Sequence, residues 1–107
     1  MTILKVHEYH DDSGQLIYFE VSNTHLSQNA ACDLVAAIPN VRIIFRPRRF
    51  TLTKDDVFCK FTLGGKAFEL FEPFGDNSRF HVAANPAEAC AELEILKVSF
   101  HNVSWLF

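Results

Sequence analysis

A chain of 107 residues is the size of one domain with one core, and its net charge of −3 argues against a general affinity for nucleic acid, which needs an excess of Lys and Arg. Apolar residues make up 49% of the chain and eleven are Phe, so even a small domain can bury a substantial core. No apolar run approaches the roughly 20 residues that cross a bilayer, and the first residues carry no secretory signal, so a membrane role is not expected.

Residues 3–9 and 16–22 predict two strands of a hairpin around the polar loop 10–15, which has the Asp, Ser and Gly that such turns favour. Alternation puts Leu4 and Val6, then Ile17, Phe19 and Val21, on one face. A helix should follow over 27–37, with Ser27 as N-cap, Leu26 packed back on the first turn, and a stripe of Ala30, Ala31, Leu34, Val35 and Ile38. Pro39 ends it, because a residue before proline is pushed out of the α region. Val41, Ile43 and Phe45 alternate with Arg42, Ile44 and Arg46, which predicts a third strand.

Residues 57–72 carry the clearest pattern. Gly64-Gly65 suits a two-residue turn, and that turn sets Leu63 opposite Lys66, Phe61 opposite Phe68 and Cys59 opposite Leu70. Lys60 then meets Glu69, and Phe58 meets Phe71, on the other face. A short strand is expected at 79–83. The second helix should open at Asn85-Pro86-Ala87-Glu88, with a capping Asn, Pro in the first turn and Glu at the reciprocal position, and continue through Ala89, Leu93, Leu96 and Phe100. The expected fold class is α+β: a mainly antiparallel sheet of five or six strands in the order ββαβββ(β)α, with both helices on one face. The other face, carrying Phe58 and Phe71, then needs a cover or a partner.

Chemical signatures are sparse. His7 and His10 are three apart on a strand and so point to opposite faces, which does not make a metal pair. Cys32, Cys59 and Cys90 are odd in number, far apart and each on an expected inward face, which suits free core thiols in a reducing, cytoplasmic compartment. There is no G-x-S-x-G elbow and no Gly-rich phosphate loop, so no catalytic residue, metal or cofactor is assigned. Four of the five Arg residues, Arg42, Arg46, Arg48 and Arg49, fall within one run with Phe45 and Phe50 interleaved. Alternation would align Arg42, Arg46 and Arg48 as an anion- or RNA-binding strip, while the negative total charge favours a solvated or salt-bridged one.

The segment Glu72-Pro73-Phe74-Gly75-Asp76-Asn77-Ser78-Arg79 leaves a strand for a tight polar loop. Its Asp, Asn and Ser can hold the turn through backbone N–H groups, and Arg79 can clamp a carboxylate such as Glu72 or Asp76. A turn held by its own clamp and a rigid recognition loop are both consistent with this pattern. The run Gly65-Lys66-Ala67-Phe68-Glu69-Leu70-Phe71-Glu72-Pro73-Phe74-Gly75-Asp76-Asn77-Ser78-Arg79-Phe80 resembles a segment of small bacterial immunity-type proteins, which neutralise toxins by binding them. The resemblance implies a non-catalytic protein-binding role and a protein partner, and the acidic balance suits a basic toxin domain. Glu72, Asp76, Asn77, Ser78 and Arg79 are then the candidate contact residues. An anion- or RNA-binding regulator using Arg42–Arg49, and an enzyme built around Glu72, Asp76, Arg79 and His81, are the other classes.

Overall fold

The computed structural model describes residues 2–3, 5–24, 26–46, 57–72, 78–101 and 104–105. Its strands are β1 (Thr2–Ile3), β2 (Val6–His10), β3 (Leu16–Ser22), β4 (Arg42–Phe45), β5 (Val57–Leu63), β6 (Lys66–Phe71), β7 (Arg79–Ala84) and β8 (Ser104–Trp105). Helix α1 (Gln28–Ala36) lies between β3 and β4, and α2 (Ala91–His101) between β7 and β8. Six strands form one antiparallel sheet in the order β2-β3-β7-β6-β5-β4, and β1 pairs with β8 separately. This is the expected α+β class, with both helices packed on one face of the sheet.

The core lies between helices and sheet. Phe19, Val21, Phe61, Phe68, Leu70 and Val82 project from the strands against Cys32 and Val35 of α1 and Leu93, Leu96 and Phe100 of α2. Phe19 and Phe100 meet edge to face at 5.7 Å between ring centroids, tying β3 to α2. Ser27 caps α1 by accepting a hydrogen bond from the Ala30 N–H, and Leu26 beside it is buried. The loop after β2 is held by Asp11, whose carboxylate accepts from the N–H groups of Ser13 and Gln15 and from the Ser13 hydroxyl.

The β5–β6 hairpin has the expected register over Leu63/Lys66, Phe61/Phe68, Lys60/Glu69 and Cys59/Leu70. Gly64 and Gly65 take φ of +62° and +77°, as the turn requires. Three irregularities change what the alternation implied. Between Val57 and Cys59 the register shifts, so Val57 faces Phe71 and Phe58 turns inward against Phe80, with ring centroids 4.8 Å apart. Phe58 is therefore a core residue and does not share the far face with Phe71. Between Tyr9 and His10 a second shift sends Leu16 into the core, where Ile17 was expected. Leu4, expected on the same face, lies outside the described residues.

The third shift falls between Ile43 and Phe45. One extra residue reverses every side chain after it. Arg42 stays opposite Thr62 on the face away from the helices. Arg46 instead reaches α1, where it bonds the Asp33 carboxylate at 2.8 Å and contacts Asn29. The expected alignment of Arg42 with Arg46 is thereby overturned.

Helix α2 begins later than the sequence pattern implied. The Asn85 side chain donates to Glu69, and its backbone N–H donates to Ala67 O, so residue 85 continues the pairing of β7 with β6 instead of capping a helix. Glu88 accepts from Lys66 at 2.9 Å, which takes it away from the capping position. The apolar stripe of Leu93, Leu96 and Phe100 holds within the shorter helix.

Candidate functional site

On the face of the sheet that neither helix covers, alternation brings forward a second set of side chains. β3 contributes Tyr18 and Glu20 between the inward Phe19 and Val21, and β7 contributes Arg79 and His81 between Phe80 and Val82. Because β7 lies between β3 and β6, Glu20 stands directly opposite His81, and His81 directly opposite Phe71. On the other side Glu20 faces His7, and Tyr18 faces Tyr9.

Glu20 is the centre of this arrangement and is only 6% exposed. Its Oε1 accepts a hydrogen bond of 2.5 Å from the Tyr9 hydroxyl and one of 3.2 Å from Arg79 Nη1, while Oε2 meets His81 Nε2. Burial by itself would raise the Glu20 carboxyl. The Tyr9 hydroxyl, the neighbouring His81 and the Arg79 guanidinium outweigh it and hold the carboxyl below its ordinary value. The same hydrogen bond raises the Tyr9 hydroxyl. His7 is lowered, first by burial and then by the nearby charges of Arg79 and Lys5.

Beside the carboxylate runs a row of four rings across β2, β3, β7 and β6. Tyr9 stacks on Tyr18 at 4.5 Å with planes 9° apart, Tyr18 on His81 at 5.3 Å, and His81 meets Phe71 at 4.6 Å. The rings are turned toward one another, so Tyr18 has a ring on either side, and the Tyr9 hydroxyl is turned to the Glu20 carboxylate. That geometry does not make a platform on which nucleic-acid bases stack. It makes a rigid surface of aromatic edges with a fixed ion pair at its centre.

The 72–79 segment joins β6 to β7 at the end of this face. Asn23, just beyond β3, ties it down: its backbone N–H donates to Ser78 O at 3.1 Å, and its Nδ2 donates to Glu72 Oε1 at 3.4 Å. Of the residues expected to make contact, Glu72, Ser78 and Arg79 thus converge beside the ring row, while Asp76 and Asn77 lie outside the described residues. The carboxylate that Arg79 meets is Glu20 of β3, and Glu72 is engaged with Asn23 instead. Of the arginine run, Arg42 is exposed at the sheet edge and Arg46 is bound to Asp33; Arg48 and Arg49 lie outside the described residues.

The sequence pattern contained the outward alternation of Tyr18 and Glu20 and of Arg79 and His81, but the pairing of β3 with β7 is long-range and leaves no local mark. A half-apolar segment with Glu at an outward position beside rings was the available signal. Comparison with protein-family models, with curated proteins and with solved structures finds no match.

Proposed function

We propose that the protein is a non-catalytic protein-binding module, and that the ring row with Glu20, Arg79 and the adjoining 72–79 segment is its contact surface. The observation that carries this reading is the row itself: Tyr9, Tyr18, His81 and Phe71, stacked on the sheet face away from both helices, with Arg79 fixed beside them. Aromatic side chains and Arg dominate binding hot spots because they offer large rigid area with little entropy left to lose. The Glu20 carboxylate is already met by three side chains, which suits a support for neighbouring residues better than an acid or base that exchanges protons with a substrate.

The partner class we favour is a basic protein. The chain carries −3 overall, and the immunity-type resemblance of residues 65–80 points to a bacterial toxin domain neutralised by direct binding. The arginine-run alternative has less support, since Arg46 turns to Asp33 and away from Arg42.

Photo-crosslinking in the native host tests the reading. A photoreactive residue at position 67, exposed on the face of the rings, should give a discrete protein adduct, and one at Glu94 on α2 should not. Arg79→Ala, which also removes a donor from Glu20 and so lowers the melting temperature, should remove the adduct at a temperature where circular dichroism shows the variant still folded. No adduct from position 67, or equal adducts from both positions, would rule out this surface.

A further inference from the structure

Next to the ring row the sheet face sinks into a hollow. Ala83 of β7 is paired directly with Tyr18 of β3 on one side and Glu69 of β6 on the other. With strands spaced about 4.8 Å apart, the backbones of Tyr18 and Glu69 stand roughly 10 Å from each other, with only a methyl group between them. The hollow has a volume of 390 Å³, and the rings of Tyr18, His81 and Phe71 border it. Glu69 and Asn85 supply its polar side.

The polar side is oriented. Asn85 Nδ2 donates to Glu69 Oε1, which fixes the amide and leaves Asn85 Oδ1 and Glu69 Oε2 as neighbouring acceptors. Neither accepts a hydrogen bond from another described side chain, although Lys60 of β5 is paired directly across from Glu69 on the side away from the hollow. A ligand that fits must therefore bring several donors on a flat head, a positive charge for Glu69, and an apolar stem for the rings and the Ala83 methyl. An anion is repelled by the carboxylate, and an apolar side chain leaves both acceptors unmatched.

We propose that this hollow receives an arginine side chain of the protein partner. The proposal rests on the protein-binding reading above and names the chemistry of its central contact. The guanidinium presents N–H donors in a planar fork that can span the two acceptors, whereas the ammonium of lysine is a compact point charge. The three-carbon stem lies against the ring edges, as long cationic side chains commonly do on apolar surface. Arg79 does not compete for the place, because Glu20 and Tyr9 hold it on the far side of His81.

The test uses the whole chain, ¹⁵N-labelled, titrated with N-acetyl-arginine amide and followed by NMR, with the lysine and norleucine amides as comparisons. Binding should shift the amides of Glu69, Phe71 and residues 81–85, and the arginine compound should bind more tightly than either comparison. Glu69→Gln should weaken it by about tenfold, as expected for loss of a charge-assisted hydrogen bond, and Ala83→Leu should abolish it by filling the hollow. Absence of shifts there, an equal response to the lysine or norleucine amide, or undiminished binding in Glu69→Gln would each overturn the proposal. If position 67 still captures a protein in any of those cases, the contact surface stands and only the arginine assignment falls.

Discussion

Arg79 Nη1 lies 3.2 Å from Glu20 Oε1, joining two strands that are far apart in sequence, and the same oxygen accepts from Tyr9. This small group holds β2, β3 and β7 together on the face opposite the core. A carboxylate so nearly buried is stabilised only while its donors are in place, and the donors in turn lose their partner if it is removed.

Glu20→Gln should therefore destabilise the fold by about 2–3 kcal/mol in urea melts near neutral pH. The wild type should also show an acid dependence that the variant lacks. The folded carboxyl is held below its ordinary 4.5, so its contribution is complete above that value and is lost as pH falls through the lower folded value. Parallel stability curves for the two proteins below pH 4.5 would contradict this.

Phe61 and Phe68 form the next expectation. Their rings stack at 5.6 Å and both are essentially buried. Replacing either with Ala should cost about 3–5 kcal/mol, read as a shifted denaturation midpoint with an unchanged slope. A loss below about 1 kcal/mol would mean that the site collapses around the missing ring.

The Gly64-Gly65 turn gives a directional comparison. Both residues have positive φ, so an Ala at either should cost about 1–2 kcal/mol. At Gly64 the added methyl carbon would also come 2.9 Å from the Glu92 carboxylate, whereas at Gly65 nothing lies within 4 Å. Gly64→Ala should thus be the more harmful, and shortening Glu92 to Ala should bring the two variants level in thermal melts.

Thiol labelling separates the cysteines. Cys32 of α1 and Cys59 of β5 are fully buried, and the neighbouring Cys32 thiol together with burial pushes the Cys59 thiol up. Cys90 is half-buried. An aromatic disulfide reagent should modify Cys90 in the folded protein and reach Cys32 and Cys59 only on unfolding. Rapid modification of Cys59 without denaturant would show that α1 lifts from the sheet.

The elements that could be read from the sequence are those whose causes are local. The Phe61/Phe68 pair follows from a turn that two glycines determine, and α1 from Ser27 and Pro39 at its ends. Alternation alone assigns Phe58 to the wrong face, because the bulge that breaks it depends on packing against Phe80 from another strand. The start of α2 was misplaced for a related reason: Asn85 and Glu88 look like capping residues until Glu69 and Lys66, both distant in sequence, engage them. Of the candidate site, Glu72 and Arg79 were visible as residues of a distinctive loop. Their neighbours Tyr9, Glu20 and Tyr18 join them only through the strand order.

The extra residue in β4 has an evolutionary corollary. Arg42 and Arg46 lie four residues apart yet face opposite ways because Ile44 is the unpaired extra residue between them, so deleting the single codon for Ile44 would leave Phe45 opposite Lys60 and Arg46 still turned to Asp33. Which surface displays the arginine is thus decided by the number of paired residues before it, and a one-codon deletion at the bulge would straighten the strand without redirecting that charge.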